Sequence, residues 1–248
     1  MRGFAPPIWG PTMAIDGALL EIEDLNAWYG ESHVLHGVSF DVREGETISL
    51  IGRNGAGKTT TLRAILGIVR NRKGVIRFRG EDLTKVALHA IARRGIGYVP
   101  EERGIFASLT VAENLVLPPV VKNGGMSVEE IYNLFPNLAE RRWGQGTKLS
   151  GGEQQMLAIA RILRTGADVI LLDEPTEGLA PVIVQRIGEV LQMLKTRGMT
   201  IVLVEQNFHF ARKLADRYVV IENGRATDHF GASELDGKMA GLAEQLGV

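Results

Sequence analysis

The spacing of apolar positions along this chain changes repeatedly, and each change predicts an element. Residues 19–29 begin Leu-Leu-Glu-Ile-Glu-Asp-Leu, apolar alternating with acidic, which predicts a half-exposed strand. A second strand is expected over residues 34–42, stopped by Arg43-Glu44-Gly45. Residues 46–51 are apolar and β-branched and read as a third strand. Leu62, Ile65, Leu66 and Val69 then recur at i, i+3, i+4 and i+7, which predicts a helix reaching Val69. Residues 74–79 alternate again and close at Gly80. This first part mixes antiparallel-looking strands with one strand–loop–helix unit.

The pattern changes near Pro100. Residues 101–106 form a mostly polar loop. Thr110 with Glu113, and Ser127 with Glu130, have the spacing of helix-starting capping boxes. Gly124-Gly125 and Pro136 keep the helices here short, so residues 100–146 are expected to form a small helical subdomain inserted in an α/β core. Residues 167–174 are an apolar run ending in Asp173-Glu174, the pattern of a buried parallel strand with charge at its carboxyl tip. Ile183, Ile187, Val190, Leu191 and Leu194 mark another helix. Residues 200–204 read as a buried strand, and residues 217–222 with Asn223-Gly224 as the entry to a hairpin. No repeat or low-complexity tract interrupts this order.

Composition narrows the class. At 248 residues and 45% hydrophobic, the chain suits one α/β domain with a sizeable core. The net charge of -1 gives no support to nucleic-acid binding. With no cysteine, disulfide and thiolate chemistry are excluded. No apolar run reaches the roughly 18 residues that a membrane-spanning helix needs. Residues 1–17 carry Pro6, Pro7 and Pro11 without an apolar stretch of signal-peptide length, so a flexible leader is expected, with Met13 an alternative start.

Three constellations carry chemistry. Gly52-Arg53-Asn54-Gly55-Ala56-Gly57-Lys58-Thr59-Thr60 fits G-x-x-x-x-G-K-[ST] between the strand at 46–51 and the helix after it. Glycines let successive N–H groups turn inward around phosphates, and the helix N-terminus adds its dipole. Lys58 would reach the outer phosphates, and the Thr59 hydroxyl would ligate Mg²⁺. An ordinary Gly-rich turn is the alternative, and the Lys-Thr pair and both flanks weigh against it. In Asp173-Glu174, at the carboxyl end of a strand, Asp173 would hold the metal, and Glu174 would orient or deprotonate the attacking water. In Leu149-Ser150-Gly151-Gly152-Glu153-Gln154-Gln155, Ser150 and Glu153 cap a helix, and the two glycines expose N–H groups as a second anion site. A plain capped helix is the simpler alternative. A second phosphate site in one chain suggests a two-molecule arrangement.

Together these stretches resemble, in order, the Walker A, signature and Walker B motifs of ABC-type ATPases, and the resemblance covers residues 19 onward. It implies an α/β fold: a P-loop NTPase (RecA-like) core with an antiparallel β-subdomain and an inserted helical subdomain. It also implies a head-to-tail pair, with ATP and Mg²⁺ between the Walker A loop of one domain and Ser150-Gly151-Gly152 of the other. Tyr29 stands where the family places an aromatic against adenine, with Trp28 the neighbouring candidate. Residues 178–181 stand at the loop that communicates between the two sites.

Three positions depart from the family's usual pattern. Glu101 replaces a glutamine, and a carboxylate there can still face Mg²⁺ or its water. Ala180 replaces an aspartate. Gln206 replaces the switch histidine, and it can donate to a γ-phosphate but carry no proton; His209 reads as an exposed helix histidine. These departures resemble one branch, the ATPase subunits of branched-chain amino-acid importers and their urea and amide relatives. The implied protein is an ATP-hydrolysing subunit at the cytoplasmic face of the membrane. Lys58, Glu174 and Gln206 would be catalytic, and Thr59, Asp173 and Glu101 would stand at the metal. Its implied partners are two membrane-spanning permease subunits, a second ABC ATPase subunit and, indirectly, an extracytoplasmic solute-binding protein. The rival readings are a soluble ABC ATPase of DNA repair and a nucleotide-gated regulatory subunit. The first needs long coiled coils between Lys58 and Ser150, where no heptad run occurs. Gln206 leaves the second open.

Overall fold

A computed structural model describes residues 17–246; the leader expected over residues 1–17 lies, but for Gly17, outside them. In chain order the elements are β1 (Ala18–Tyr29), β2 (Ser32–Arg43), β3 (Thr47–Ile51), α1 (Lys58–Ile65), β4 (Arg72–Phe78), β5 (Glu81–Asp82), α2 (Leu88–Arg93), β6 (Ile96–Val99), α3 (Val111–Val116), α4 (Val128–Leu134), α5 (Pro136–Glu140), α6 (Gly151–Leu163), β7 (Val169–Asp173), α7 (Pro181–Thr196), β8 (Thr200–Val204), α8 (Phe208–Ala211), β9 (Arg217–Glu222), β10 (Arg225–Gly231) and α9 (Leu235–Leu246).

Two sheets organise the chain. The first is antiparallel, in the order β2-β1-β4-β5. The second runs β10-β9-β3-β8-β7-β6, parallel throughout except at the β9–β10 hairpin. Strands β3, β7 and β8 are buried at every position, which only helices or a second sheet over both faces can achieve. Their side chains alternate between two cores. Ile51, Ile170, Leu172, Ile201 and Leu203 pack with Leu115, Phe135, Leu157, Ile187 and Leu191 on the helical side. Ile48, Leu50, Leu171, Val202 and Val204 pack with α1 and the antiparallel sheet. Each such Leu or Ile contributes about 1.5–3 kcal/mol when fully buried.

The helix starts follow local chemistry. Thr110 accepts from Glu113 N at 3.2 Å while Thr110 N donates to Glu113 at 2.8 Å, and Ser127 with Glu130 does the same at 3.1 and 2.8 Å. Ser150 and Glu153 form a third reciprocal cap on α6. Each cap stabilises its helix by about 1 kcal/mol. One expectation fails: α1 stops at Ile65, because Gly67 adopts φ +74 and turns the chain away. Val69 is buried all the same, from the loop rather than the helix. Three elements lay unforeseen before Pro100, namely the two-residue β5, α2 and β6.

Parallel order places the carboxyl ends of β3, β7 and β8 at one rim. Leu50 pairs with Val204, and Val204 with Asp173, so these strands end level. The loop 52–57, Glu174 and Glu205-Gln206 leave that rim as neighbours.

Candidate nucleotide site

Gly57 opens α1 at φ 111, a conformation open to glycine. Its Cα also faces Leu35 and Gly224 so closely that a Cβ would lie 2.9 Å from the Leu35 side chain. Gly224 N donates to Ala56 O at 2.8 Å and His36 N donates to Gly224 O at 2.7 Å, so the loop is braced from behind by the β9–β10 turn and by β2. Two openings flank it. One of about 380 Å³ is bounded by residues 52–56 and 220–223; another of about 240 Å³ lies against residues 51–54, Glu205, Gln206 and Phe208.

Lys58 is buried, and its Nζ donates to Gly52 O at 2.9 Å and Arg53 O at 3.2 Å. The same nitrogen lies 3.5 Å from Glu174 Oε1. Gln206 Nε2 donates to Glu174 Oε2 at 2.7 Å. One oxygen of Glu174 thus accepts from Gln206, just past β8, and the other faces the Lys58 ammonium at the start of α1. Glu174 adopts φ 45, costly for a residue with a Cβ, and its N–H donates to Val204 O at 2.9 Å.

Thr59 Oγ1 donates to Asp173 Oδ1 at 2.8 Å, and Tyr98 OH donates to Asp173 Oδ2 at 2.9 Å. Burial pushes the Asp173 carboxyl above its ordinary range, and these two hydrogen bonds oppose the shift. Tyr98 is raised in turn, first by burial and then by the Asp173 charge. Arg63, on α1, is raised first by its hydrogen bond with Tyr98, and it pairs with Glu102 at 2.6 Å. Glu205 is 3% exposed, and burial pushes its carboxyl up to about 7.

Lys58, Thr59, Asp173, Glu174 and Gln206 thus come together. Among the described residues Glu101 makes no side-chain hydrogen bond to these five, and it neighbours Glu177: hydrogen bonding with Glu174 raises the Glu177 carboxyl most, followed by burial and by the charges of Glu174 and Glu101. Tyr29 ends β1 and is 46% exposed. Trp28 is already engaged, stacked on His33 with centroids 4.3 Å apart and Lys73 over its face. Ser150, Gly151 and Gly152 form the start of α6, Ser150 exposed, Gly151 half-buried and Gly152 buried, and among the described residues no hydrogen bond joins them to the loop 52–60. A Cβ on Gly152 would lie 2.7 Å from Ile183, so α6 and the start of α7 touch through it. Ala180 is the residue before α7 and offers no side-chain cap. His209 is exposed on α8.

Sequence reasoning missed Tyr98, Thr176 and Glu205. Tyr98 stands on the unforeseen β6, and the other two meet across 29 residues of chain. Only the polar end of an otherwise apolar strand at Glu205 gave any signal.

Comparison with known proteins agrees with this geometry. Residues 35–177 match the family described as ABC transporter. The high-affinity branched-chain amino acid transport ATP-binding protein BraG of Pseudomonas aeruginosa is 43% identical over 214 residues, covering 85% of this chain and 92% of that protein. The probable branched-chain amino acid transport ATP-binding protein LivF of Archaeoglobus fulgidus is 34% identical, covering 88% and 94%. A dimeric post-hydrolysis structure of the ATP-binding cassette MJ0796, bound to ADP and Pi, superposes with a TM-score of 0.77 at 27% identity, covering 86% of this chain and 98% of that one. Motif order, strand order and these likenesses agree: the chain belongs to the ABC transporter family, among its ATP-binding subunits.

Proposed function

We propose that this chain hydrolyses ATP to drive an importer of branched-chain amino acids through separate membrane subunits. The observation that carries the reading is the meeting of Lys58, Thr59, Asp173, Glu174 and Gln206 at the level ends of three parallel strands. Residues 52–57 cradle the phosphates with backbone N–H groups, and Lys58 turns from the Gly52 and Arg53 carbonyls to the outer phosphates. Tyr29, exposed at its strand end, stacks on the adenine ring. Glu174 orients water for in-line attack and takes its proton, and Gln206 fixes the carboxylate's direction.

The donor set fits Mg²⁺. Thr59 and Asp173 offer hard oxygen atoms 2.8 Å apart, and Mg²⁺ takes one or two carboxylates along with phosphates and water. When bound, the ion neutralises phosphate charge. Thr59 and Asp173 would hold it, with Glu101 reaching it through water.

Among the described residues Ser150, Gly151 and Gly152 make no hydrogen bond to the loop 52–60 of their own chain, and, with the dimeric form of the MJ0796 cassette as a precedent, they complete the site of a second ATPase subunit placed head-to-tail. No described helix is long and apolar enough to cross a membrane. On the likeness to the transport subunit BraG, two permease subunits supply the pore and this chain docks on their cytoplasmic face. A solute-binding protein acts on the far side.

A pull-down from native membranes in mild detergent tests the assembly. Recovery of two polytopic proteins and a second ATPase supports the importer, and the accompanying binding protein separates branched-chain amino acids from urea or amides. Soluble partners alone would overturn it. Zero turnover in the recovered assembly would move the reading to a nucleotide-gated regulatory subunit.

A further inference from the structure

We infer that Glu205 is a positioning residue for hydrolysis, a buried clip that ties the loop after Glu174 to the loop after Gln206 and so sets the alignment of that pair. The inference rests on the proposed ATPase function.

Glu205 follows directly on β8 and is 3% exposed. Its Oε1 accepts from Thr176 Oγ1 at 2.6 Å and from Thr176 N at 3.2 Å. Its Oε2 accepts from Asn207 N at 3.1 Å. Thr176 stands two residues beyond Glu174, and Asn207 one residue beyond Gln206. A single carboxylate therefore grips the chain just past each member of the 2.7 Å Gln206–Glu174 contact.

Both loops need the grip. Glu174 sits at φ 45, so the chain leaving β7 departs in an unfavourable direction and must be held there. Asn207 is the N-cap of α8, its side chain accepting from Phe210 N at 3.1 Å, which makes the clip a link to a short helix as well. Side-chain chemistry explains why glutamate serves. The backbone N–H groups of Thr176 and Asn207 can only donate, and each oxygen of a carboxyl can accept one of them whether it is ionised or protonated, while the Thr176 hydroxyl can donate to the carboxylate or accept from the acid. Glutamine would set its NH₂ against one of those N–H groups. Aspartate is one methylene too short to span both loops from the same backbone. A carboxyl buried this deeply is costly, since burial raises its pKa in spite of three donors. An apolar residue would avoid that cost only by leaving the Thr176 and Asn207 donors without an acceptor, so the carboxyl serves the two loops it ties.

The test uses the full-length chain recovered with its membrane subunits, carrying Glu205→Gln, Thr176→Val or Thr176→Ser. Turnover, KM for ATP, equilibrium binding of a fluorescent ATP analogue and Tm are measured on each. Misplacement by about 1 Å can cost on the order of 100-fold in rate, so kcat for Glu205→Gln should fall roughly 10- to 100-fold, with ATP affinity changed less than about threefold. Thr176→Val, which loses only the hydroxyl donor, should fall in the same direction. Thr176→Ser, which keeps it, should return to within about threefold of wild type. Should Glu205→Gln fail to fold, the two Thr176 variants decide alone. Normal kcat in Thr176→Val, or kcat and affinity falling together, overturns the clip. Wild-type chain that binds ATP and never turns it over overturns the ATPase reading and the clip together, whereas active wild type with unaffected variants overturns the clip only.

Discussion

Gln206 Nε2 donates to Glu174 Oε2 across 2.7 Å, and this contact joins the ends of two adjacent strands. It gives Gln206 a task that needs no proton: an amide can fix a carboxylate's direction as well as an imidazole can. Gln206→Ala should therefore lower kcat by roughly tenfold while leaving ATP affinity within about threefold, because one hydrogen bond to a charged group contributes about 1.5–3 kcal/mol. Steady-state turnover beside equilibrium nucleotide binding checks it. Equal losses in both would mean that Gln206 serves binding alone.

Much of this was legible in the sequence, for a physical reason. The loop 52–60, the three capping boxes and the carboxylates ending β7 are local: each is a spacing within a few residues that the backbone must turn into one geometry. The contacts that aim the site are not local. Tyr98 reaches Asp173 only because β6 pairs with β7, and β6 is four residues long with a glycine inside, too short for a period to show. Glu205 meets Thr176 only once β8 lies beside β7. The end of α1 was misread because Val69 continues the apolar stripe in sequence while Gly67 turns the chain out of the helix.

Lys58 and Glu174 separate binding from chemistry. Lys58 is the buried cation of the loop, held by Gly52 O and Arg53 O. Lys58→Ala should reduce ATP affinity by at least about tenfold and bring turnover to background, since a charged donor to phosphate is lost. Glu174→Gln keeps an acceptor for Gln206 and should hold ATP with near wild-type affinity while hydrolysis falls roughly 100-fold or more. Size-exclusion chromatography with ATP should then trap paired ATPase subunits. Unchanged turnover in Lys58→Ala would sink the phosphate-loop role, and normal hydrolysis in Glu174→Gln would move the base elsewhere.

Tyr98 holds Asp173 from the side opposite Thr59. Tyr98→Phe removes one oxygen and leaves a buried acceptor unpaired, at a cost of about 1–3 kcal/mol. For a chain of this size that lowers Tm by roughly 3–9 °C. The loss should shrink when Mg²⁺ and ATP are added, because Asp173 then gains a cationic partner. Differential scanning calorimetry with and without Mg-ATP measures both. A Tm equal to wild type would show that the Tyr98 hydroxyl contributes nothing to the fold.

Glu205 makes stability depend on pH with a definite sign. Its ordinary value is 4.5, and burial raises it in the folded protein to about 7; the Glu174 charge adds in the same direction, while donors from Thr176 and Asn207 oppose it. Between those values the unfolded chain has released the proton and the folded chain has kept it. The unfolded state then binds fewer protons, so stability falls as pH rises through this window and levels off above about 7. The gap corresponds to a loss on the order of 3 kcal/mol. Asp173 and Glu177 are also raised and give the same sign, so the total slope does not isolate Glu205. The difference between wild type and Glu205→Gln does, because glutamine carries no titrating proton and its hydrogen-bond mismatch is constant with pH. Urea unfolding at about pH 5 and about pH 8 should show wild type losing more stability than the variant over that span, by on the order of 3 kcal/mol. Parallel curves for the two proteins would mean that Glu205 stays ionised in the fold, its three donors outweighing burial.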